Sequence, residues 1–523
     1  MANPLLDFWM RLLGQETDTD RPAGARGRGG RRRRIPTASA LQAEATIFLV
    51  LRRMRAPLIV LITIFAVSVL GLTLIPGQSA AGAPHRMSIF DAFYFMSYTA
   101  STIGFGELPE PFTAAQRLWV TAAIYLTVIG WAYAIGSVLA LLQDRAFRQA
   151  LALRHFSRKV KRLREPFLLI VGHGATGELL STAFDELGRR VVVIDIDDDR
   201  IEALELGSYR ADVPGLVADA RDPGHLGVAG LANPRCAAVL ALTNDDEANL
   251  TVTMTAALLR PDLTVIARTV SLAIAERMQA FGGPAVVNPF DRFGDHLSMG
   301  IRAPASYQLV TWLESGPGAE LPARGHPPAH GRWVVVGYGR FGRELTADLH
   351  AEGIEVTVVE STATADPTHV TGDGTDPDVL AQARLTDAVG FVAATDNDTS
   401  NLSMIAAARL LNPDLFVVAR QNRPASAPLF AAMEVDSLLV PTELVAHEVY
   451  AQVSTPLLWR FLQQVPHEGD AWAARVISRV TGLCSTHLDG MWKVRLDAQE
   501  APALQGWLAA GDARIGAVMR DPD

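Results

Sequence analysis

Two observations predict a membrane α-helical domain followed by two tandem α/β domains of the doubly wound, Rossmann-like class. Two apolar segments in the N-terminal third carry no charge and are each long enough to cross a bilayer. A glycine fingerprint set between an apolar strand and a helix then occurs twice, and the sequence around it repeats. The order read from these signals is a basic tail at 1–43, a membrane domain at 44–143 and a basic linker at 144–165. A first α/β domain at 166–315, a linker at 316–331 and a second α/β domain with a C-terminal lobe at 332–523 complete the chain.

The first span, 56–76 (APLIVLITIFAVSVLGLTLIP), covers roughly 30 Å of hydrocarbon as a helix. The apolar TIFLVL at 46–51 extends it on one side, giving an outer helix of about 45–76. The second span reads as an inner helix over about 117–143. Charge orients the pair. Eleven arginines precede residue 56 and eight Lys/Arg lie from Arg145 to Arg164, whereas 56–116 contains only Arg86. Basic residues stay on the cytoplasmic side, so both termini are expected there and the 77–117 connection faces out. Such a chain belongs in the cell (inner) membrane, as a multi-pass protein.

The net charge of −9 conceals a division: residues 1–164 carry +12 and residues 165–523 carry −21. That balance fits a basic, lipid-facing third joined to an acidic cytoplasmic body, and no nucleic-acid partner is expected. The runs LLDFWMRLL (5–13) and RGRGGRRRR (26–34) are further candidates for contact with anionic lipid. Only two cysteines, Cys236 and Cys484, occur, so no disulfide framework is expected. His and Cys show no metal-ligand spacing.

The outward connection is too long for a simple hairpin. SIFDAFYFMSYTA (88–100) reads as a short aromatic helix dipping back into the membrane, and Thr102-Ile103-Gly104-Phe105-Gly106-Glu107 follows it. Two glycines alternating with larger residues permit a backbone whose carbonyls turn toward one axis, tolerable at that depth only beside a water-filled cavity. Residues 56–142 resemble the outer helix, pore helix, selectivity filter and inner helix of a two-transmembrane potassium channel. The resemblance implies K⁺ sites formed by the carbonyls of Thr102, Ile103, Gly104 and Phe105 with the Thr102 hydroxyl, and an outer mouth shaped by Gly106 and Glu107. Ile103 and Phe105 replace the commoner Val and Tyr, Glu107 the commoner Asp, and Ala100 stands where a polar residue is frequent. Gly130 lies where such inner helices bend, and is read as a gating hinge or as a small residue for close helix packing. With one filter per chain, the resemblance implies a homotetramer. No arginine-repeat voltage sensor precedes the pore.

In the α/β part, PFLLIVGHGATGELL (166–180) presents Gly172, Gly174 and Gly177, and Asp195 closes the next strand 23 residues after Gly172. RWVVVGYGRFGREL (332–345) presents Gly337, Gly339 and Gly342, and Glu360 stands 23 residues after Gly337. The glycines allow a tight turn and close approach of a pyrophosphate to a helix N-terminus, while the acid takes a ribose hydroxyl. NLTVTMTAALLRPDLTVIAR (249–268) aligns without a gap on NLSMIAAARLLNPDLFVVAR (401–420), and Asp219 of DARDP matches Asp373 of DGTDP. Each repeat ends in helical stretches (290–315 and 442–465) suited to docking on a neighbour.

The repeats resemble RCK domains, also called KTN or TrkA-N domains, which regulate potassium conductance. The resemblance implies a tandem-RCK channel in which four chains form a ring of eight domains. The second repeat looks the more competent nucleotide site, because GDGTD (372–376) and Arg340 of GYGRFG are closer to the family form; the resemblance implies that Arg340 reaches a phosphate, and the first repeat has no basic residue to match it. Acids at 195 and 360 favour an unphosphorylated ribose, so NAD or an adenine nucleotide (ADP or ATP) is the expected ligand. The acidic run at 194–199 is a candidate for Ca²⁺ between domains. The alternatives are a membrane-anchored NAD-dependent oxidoreductase, which leaves 88–107 unexplained, and a regulatory subunit of a separate transporter, which needs no filter. No convergent set for hydride transfer is present, so no catalytic residues are assigned.

Overall fold

The computed structural model describes residues 55–79, 83–106, 111–315, 319–324, 327–328, 330–488, 497, 499–509 and 511, all within one compact unit. The expected tail with its 5–13 and 26–34 segments, the outer-helix extension before 55, and Glu107 lie outside the described residues.

The membrane part is three helices. The outer helix α1 (Arg55–Leu74) leads through a two-residue hairpin, β1 (Gly77–Gln78) and β2 (Pro84–His85), to the pore helix α2 (Ile89–Ala100). The inner helix α3 (Ala114–Gln143) follows. Ser88 starts α2 by accepting the amide of Asp91, and Thr113 with Gln116 forms a reciprocal capping box on α3. Leu72, Phe95, Met96, Tyr98, Val120 and Ala123 form the core where the three meet. Most of the remaining apolar surface of α1 and α3 is uncovered, with Leu58, Ile62, Leu70, Leu118, Tyr125 and Ile129 all exposed, as suits segments that meet lipid or other subunits.

The stretch expected as a basic linker is mostly helix. Asp144 caps α4 (Arg145–Arg162), whose Phe156 and Val160 enter the core of the first α/β domain. Val160 and the ring of Phe167 pack so closely on Gly230 that a Cβ there would lie 2.9 and 2.8 Å from them. The boundary expected at 166 therefore falls inside a packed unit, and the inner helix continues through Asp144 into a helix seated on that domain.

The first α/β domain runs β3 (Phe167–Val171), α5 (Ala175–Glu186), β4 (Arg190–Asp195), α6 (Asp198–Leu206), β5 (Gly215–Val217), α7 (Pro223–Val228), β6 (Cys236–Ala241), α8 (Asp246–Leu259), β7 (Thr264–Arg268), α9 (Leu272–Gln279) and β8 (Ala285–Val287). Helices α10 (Pro289–Arg302) and α11 (Pro304–Glu314) follow. The second contains β9 (Arg332–Val336), α12 (Arg340–Ala351), β10 (Glu355–Glu360), β11 (Val370–Thr371), α13 (Pro377–Gln382), β12 (Ala388–Ala393), α14 (Asp398–Leu411), β13 (Phe416–Arg420), α15 (Ala427–Ala432) and β14 (Ser437–Leu439). It ends with α16 (Pro441–Ser454), α17 (Pro456–Glu468), α18 (Asp470–Cys484) and α19 (Pro502–Ala509). Both sheets are parallel and six-stranded, in the orders β5-β4-β3-β6-β7-β8 and β11-β10-β9-β12-β13-β14. These are doubly wound sheets with the switch point beside the first strand, where ligands bind in this architecture.

The trailing helices exchange. Val445, Ala446 and Val449 of α16 complete one face of the first sheet, packing with Leu180 and Phe184 of α5. Reciprocally, Phe290, Phe293 and Leu297 of α10 join Trp333, Phe341, Leu345 and Leu349 of the second repeat. The neighbour expected for 290–315 and 442–465 is thus the other repeat of the same chain. Each such side chain contributes about 1.5–3 kcal/mol when fully buried, so neither sheet face is complete without its partner repeat. Helix α18 of the C-terminal lobe packs on α11 and α17, and its Asp470 accepts the amides of Ala305 and Ser306 at 2.6 and 3.0 Å, capping α11.

Candidate functional site

The pore segment follows directly from the end of α2. The Tyr98 carbonyl accepts the amides of Ile103 (3.0 Å) and Gly104 (3.2 Å), which folds the chain back beneath the helix. Thr102, Gly104 and Gly106 have φ of 60°, 63° and 73°, with ordinary negative φ at Ile103 and Phe105 between them. Alternation of left- and right-handed residues points successive carbonyls the same way, and the C-terminal end of α2 adds its partial negative charge. Left-handed φ is strained for Thr102, and such strain clusters at ligand clamps. The Ile103 and Phe105 side chains are 66% and 69% exposed in the single chain, with the Phe105 ring 6.3 Å from that of Tyr98.

Gly130 lies in an unbroken stretch of α3, buried against α1. A Cβ there would sit 3.0 Å from Ile64 Cδ1 and 3.4 Å from Leu61 Cδ1. Close helix packing accounts for this glycine as the helix stands. Gly71 serves the same purpose for Trp119, whose indole N–H donates to the Ser68 carbonyl at 3.0 Å.

The two fingerprint loops share a backbone. Gly172 and Gly337 both have φ of 98°, and a Cβ on Gly177 or Gly342 would lie 2.2 or 2.0 Å from the carbonyl oxygen of Gly172 or Gly337. Strand register brings the acids alongside: Gly172 donates to the Ile194 carbonyl, Gly337 to that of Val359, and Gly372 to that of Glu360. The glycine loop, Glu360 and Asp373 of the second repeat therefore gather at the carboxyl ends of β9, β10 and β11, as the loop, Asp195 and Asp219 do at β3, β4 and β5.

The two sites differ in what covers them. Asp195 is buried and committed: it accepts the amides of His173 (2.5 Å) and Asp197 (2.9 Å) and pairs with Arg200 at 3.4 Å. Arg200 also lies over the loop, 3.6 Å from where a Gly174 Cβ would be. Beside it, burial holds the His173 imidazole below the ordinary histidine range. In the second repeat Glu360 is half-buried and bonds to the amides of Tyr338 (2.6 Å) and Ser361 (2.9 Å), while nothing lies within 4 Å of a Gly339 Cβ. The exposed Asp373 carboxylate accepts only from Thr375 among the described residues, and Asp219 is paired with Arg221 at 3.0 Å.

Sequence reasoning did not foresee Arg200, which α6 delivers from outside the fingerprint. A signal was present: 24 residues separate Asp195 from Asp219 but only 13 separate Glu360 from Asp373. The second repeat is shorter where α6 would be, and residues 361–369 form no helix there. The acidic run at 194–199 is used locally, with Asp197 capping α6 and pairing with Arg200 at 3.3 Å. Among the described residues no group of three or more His, Cys, Asp or Glu is arranged to hold a metal ion.

The gap-free repeat at 249–268 and 401–420 has a structural cause. Asn401 is fully buried, accepts from the Thr395 amide (3.1 Å) and hydroxyl (2.6 Å), and donates to the carbonyls of Thr395 (3.0 Å) and Arg420 (2.7 Å). Asn249 makes the same four bonds with Thr243 and Arg268. Asn401→Ala should lower stability by about 2–4 kcal/mol, because these partners lose their bonds in a buried place. Thermal melting of the variant checks this; a midpoint within error of the parent contradicts it.

The comparisons with known proteins agree with this organisation. The ion channel family model matches residues 58–144, and the TrkA-N domain model matches 168–289 and 333–441, together more than half of the chain. The chain belongs to the channel proteins that join a two-helix pore domain to TrkA-N, or RCK, domains. It is similar to potassium channel protein 1 of Methanocaldococcus jannaschii, at 26% identity over 38% of this chain and 59% of that protein. Similarity to the voltage-gated potassium channel Kch of Escherichia coli is 28% over 35% of this chain and 42% of that one. The chain thus spans less than two thirds of these relatives' length. Among solved structures, GsuK bound to ADP is 19% identical, covering 78% of this chain and 100% of that one, with a TM-score of 0.44.

Proposed function

We propose that four copies of this chain form a K⁺-selective channel in the cell membrane, with both termini cytoplasmic, gated by a nucleotide bound in a ring of eight RCK domains. The observation that carries the reading is the alternating left-handed backbone at Thr102, Gly104 and Gly106, at the end of a re-entrant helix between two membrane-length helices. In the tetramer the carbonyls of Thr102 to Phe105 replace the hydration shell of K⁺, and Ile103 and Phe105 pack away from the axis. The purified chain in liposomes is expected to pass K⁺ in strong preference to Na⁺; equal fluxes would overturn the reading.

The ligand side of the proposal centres on the second repeat, whose loop is open at Gly339 and flanked by Glu360 and Asp373. NAD, ADP or ATP would place its phosphates at the N-terminus of α12, within reach of Arg340, and a ribose hydroxyl on Glu360. Binding alters gating through the continuous path α3, Asp144, α4 and the first-repeat core, by as much as the ligand's affinity differs between open and closed rings. Gly339→Val tests the site cleanly, since its φ of −70° is ordinary and a Cβ there touches nothing. The variant chain should melt like the parent without ligand and lose the stabilisation that the parent gains from nucleotide. The full chain is required, because α10 of the first repeat covers α12 of the second. An equal nucleotide shift in both proteins would remove the ligand from this loop.

A further inference from the structure

The exchanged helices bring three arginines to one place. Arg268 ends β7 and Arg420 ends β13, at equivalent positions of the two repeats, each with its carbonyl held by the buried Asn249 or Asn401. Arg420 reaches across the repeat boundary, its guanidinium 5.0 Å from the centre of the Phe290 ring on α10. Phe290 in turn lies 5.6 Å from Phe341, the residue after Arg340 at the start of α12. Val270, two residues beyond Arg268, belongs to the same buried cluster as Phe290, Phe341 and Val418. Arg420 thus stands beside the Phe290–Phe341 pair that abuts the exposed Arg340, and Arg268 is near enough for its charge to act on Arg420.

These cations are poorly compensated. Arg340 and Arg420 have no carboxylate within 4.0 Å among the described residues, and the Nε of Arg420 is buried without a hydrogen-bond partner. Arg268 donates to the Thr243 carbonyl at 3.1 Å. Asp396 and Asp398 lie near Arg420 and Asp246 near Arg268, but none pairs with them within 4.0 Å among the described residues; Asp398 accepts the amides of Asn422 (2.7 Å) and Arg423 (3.0 Å), and Asp246 that of Val270 at 3.3 Å. Burial holds Arg420 below the ordinary arginine range, and the charges of Arg340 and Arg268 push the same way. Two half-buried guanidinium groups and the exposed Arg340, none in direct contact with a carboxylate among the described residues, leave donors that an anion can join.

We infer that Arg268, Arg420 and Arg340 form an anion site bridging the two repeats, suited to a phosphate group carrying two charges. Its source is the terminal phosphate of a nucleotide in the second-repeat loop or a free phosphate ion. The first source rests on the nucleotide reading above; the second does not. Guanidinium forks match phosphate oxygens two at a time, and an anion held from both repeats ties their relative position to occupancy. A dinucleotide, whose phosphates are diesters with one charge each, fits this site less well than ADP.

The test uses the full chain in detergent, as parent, Arg268→Gln, Arg420→Gln and Arg420→Lys, titrated with ADP, adenosine and inorganic phosphate. ADP affinity is expected to fall about tenfold in each Gln variant with adenosine affinity unchanged, and less in the Lys variant. In phosphate-free buffer the Gln variants should melt above the parent, since each removes one of three like charges; damage to the fold would lower the midpoint instead. If inorganic phosphate stabilises the parent alone and ADP binds all four proteins equally, the bridge holds a free ion. Equal binding of ADP and of phosphate by all four proteins overturns the arginine site while leaving the glycine-loop reading intact. Failure of the parent to bind either overturns both.

Discussion

Gly104→Ala is expected to abolish K⁺ flux in liposomes while leaving the RCK part folded and able to bind its ligand. The reason is local. Gly104 has φ of 63° with nothing within 4 Å of a Cβ, so the added methyl clashes with no neighbour and acts only on the backbone. A left-handed alanine costs roughly 1–2 kcal/mol, which in the proposed tetramer amounts to about 4–8 kcal/mol per pore. The backbone relieves the strain by rotating the peptide, which turns a carbonyl away from the ion path. Because Ile103 and Gly104 both donate to the Tyr98 carbonyl, the rotation also loosens the segment from α2. The measurement is K⁺ uptake by proteoliposomes, with nucleotide-dependent melting as the control for folding. Parent-like flux would mean that Gly104 does not line the path and that the pore lies elsewhere.

How far the sequence foretold the molecule depends on the range of the interaction. The two long apolar helices, the left-handed backbone at Thr102, Gly104 and Gly106, both sheets and the loop glycines follow from local pattern. The helix exchange was half legible: the apolar stretches after Pro289 and Pro441 required a partner, but nothing local said that the partner was the other repeat. Arg200 was not legible from its own neighbourhood. Its effect depends on α6 swinging back over Gly174, a contact between distant residues that only the length difference between repeats foreshadowed. Arg268 and Arg420 were equally hidden: they align at the ends of β7 and β13, and only the exchange of α10 brings Phe290 under Arg420. The reading of Gly130 turned on tertiary contact too, and α1 supplies that contact through Leu61 and Ile64.

The second large effect concerns the same exchanged interface and pH. Helices α10 and α12 press carboxylates together. Asp348 lies so close to α10 that a Cβ on Gly294 would fall 1.8 Å from its Oδ2, and Glu344 accepts from Asn288 Nδ2 at 3.4 Å. Asp291 and Asp295 of α10 and Glu352 at the C-terminal cap of α12 surround them, with Arg340 near Glu344, Arg292 within 4.0 Å of Asp295 and Arg302 bonded to Glu352. Burial pushes Glu344 up to about 7, helped by Asp291 and Asp348, and Asp348 up to about 6, helped by Asp295, Asp291 and Glu352. The unfolded chain keeps the ordinary values of 4.5 and 3.8, so on raising the pH it releases these protons before the folded chain does. The stabilisation is therefore fully present below pH ~4 and lost as pH rises to ~7. Both groups are only half-buried, so solvent screening reduces their joint contribution to about 2 kcal/mol. Glu344→Gln combined with Asp348→Asn should raise the melting midpoint at pH 7.5 and leave it nearly unchanged at pH 4.5. The difference between variant and parent isolates this interface from every other titrating group in the chain. A constant difference across the range would show that the two carboxylates do not change charge there. Since the same contact carries α10 onto the glycine-loop helix α12, protonation that tightens it should, under the proposed gating, also shift the ligand dependence toward lower pH.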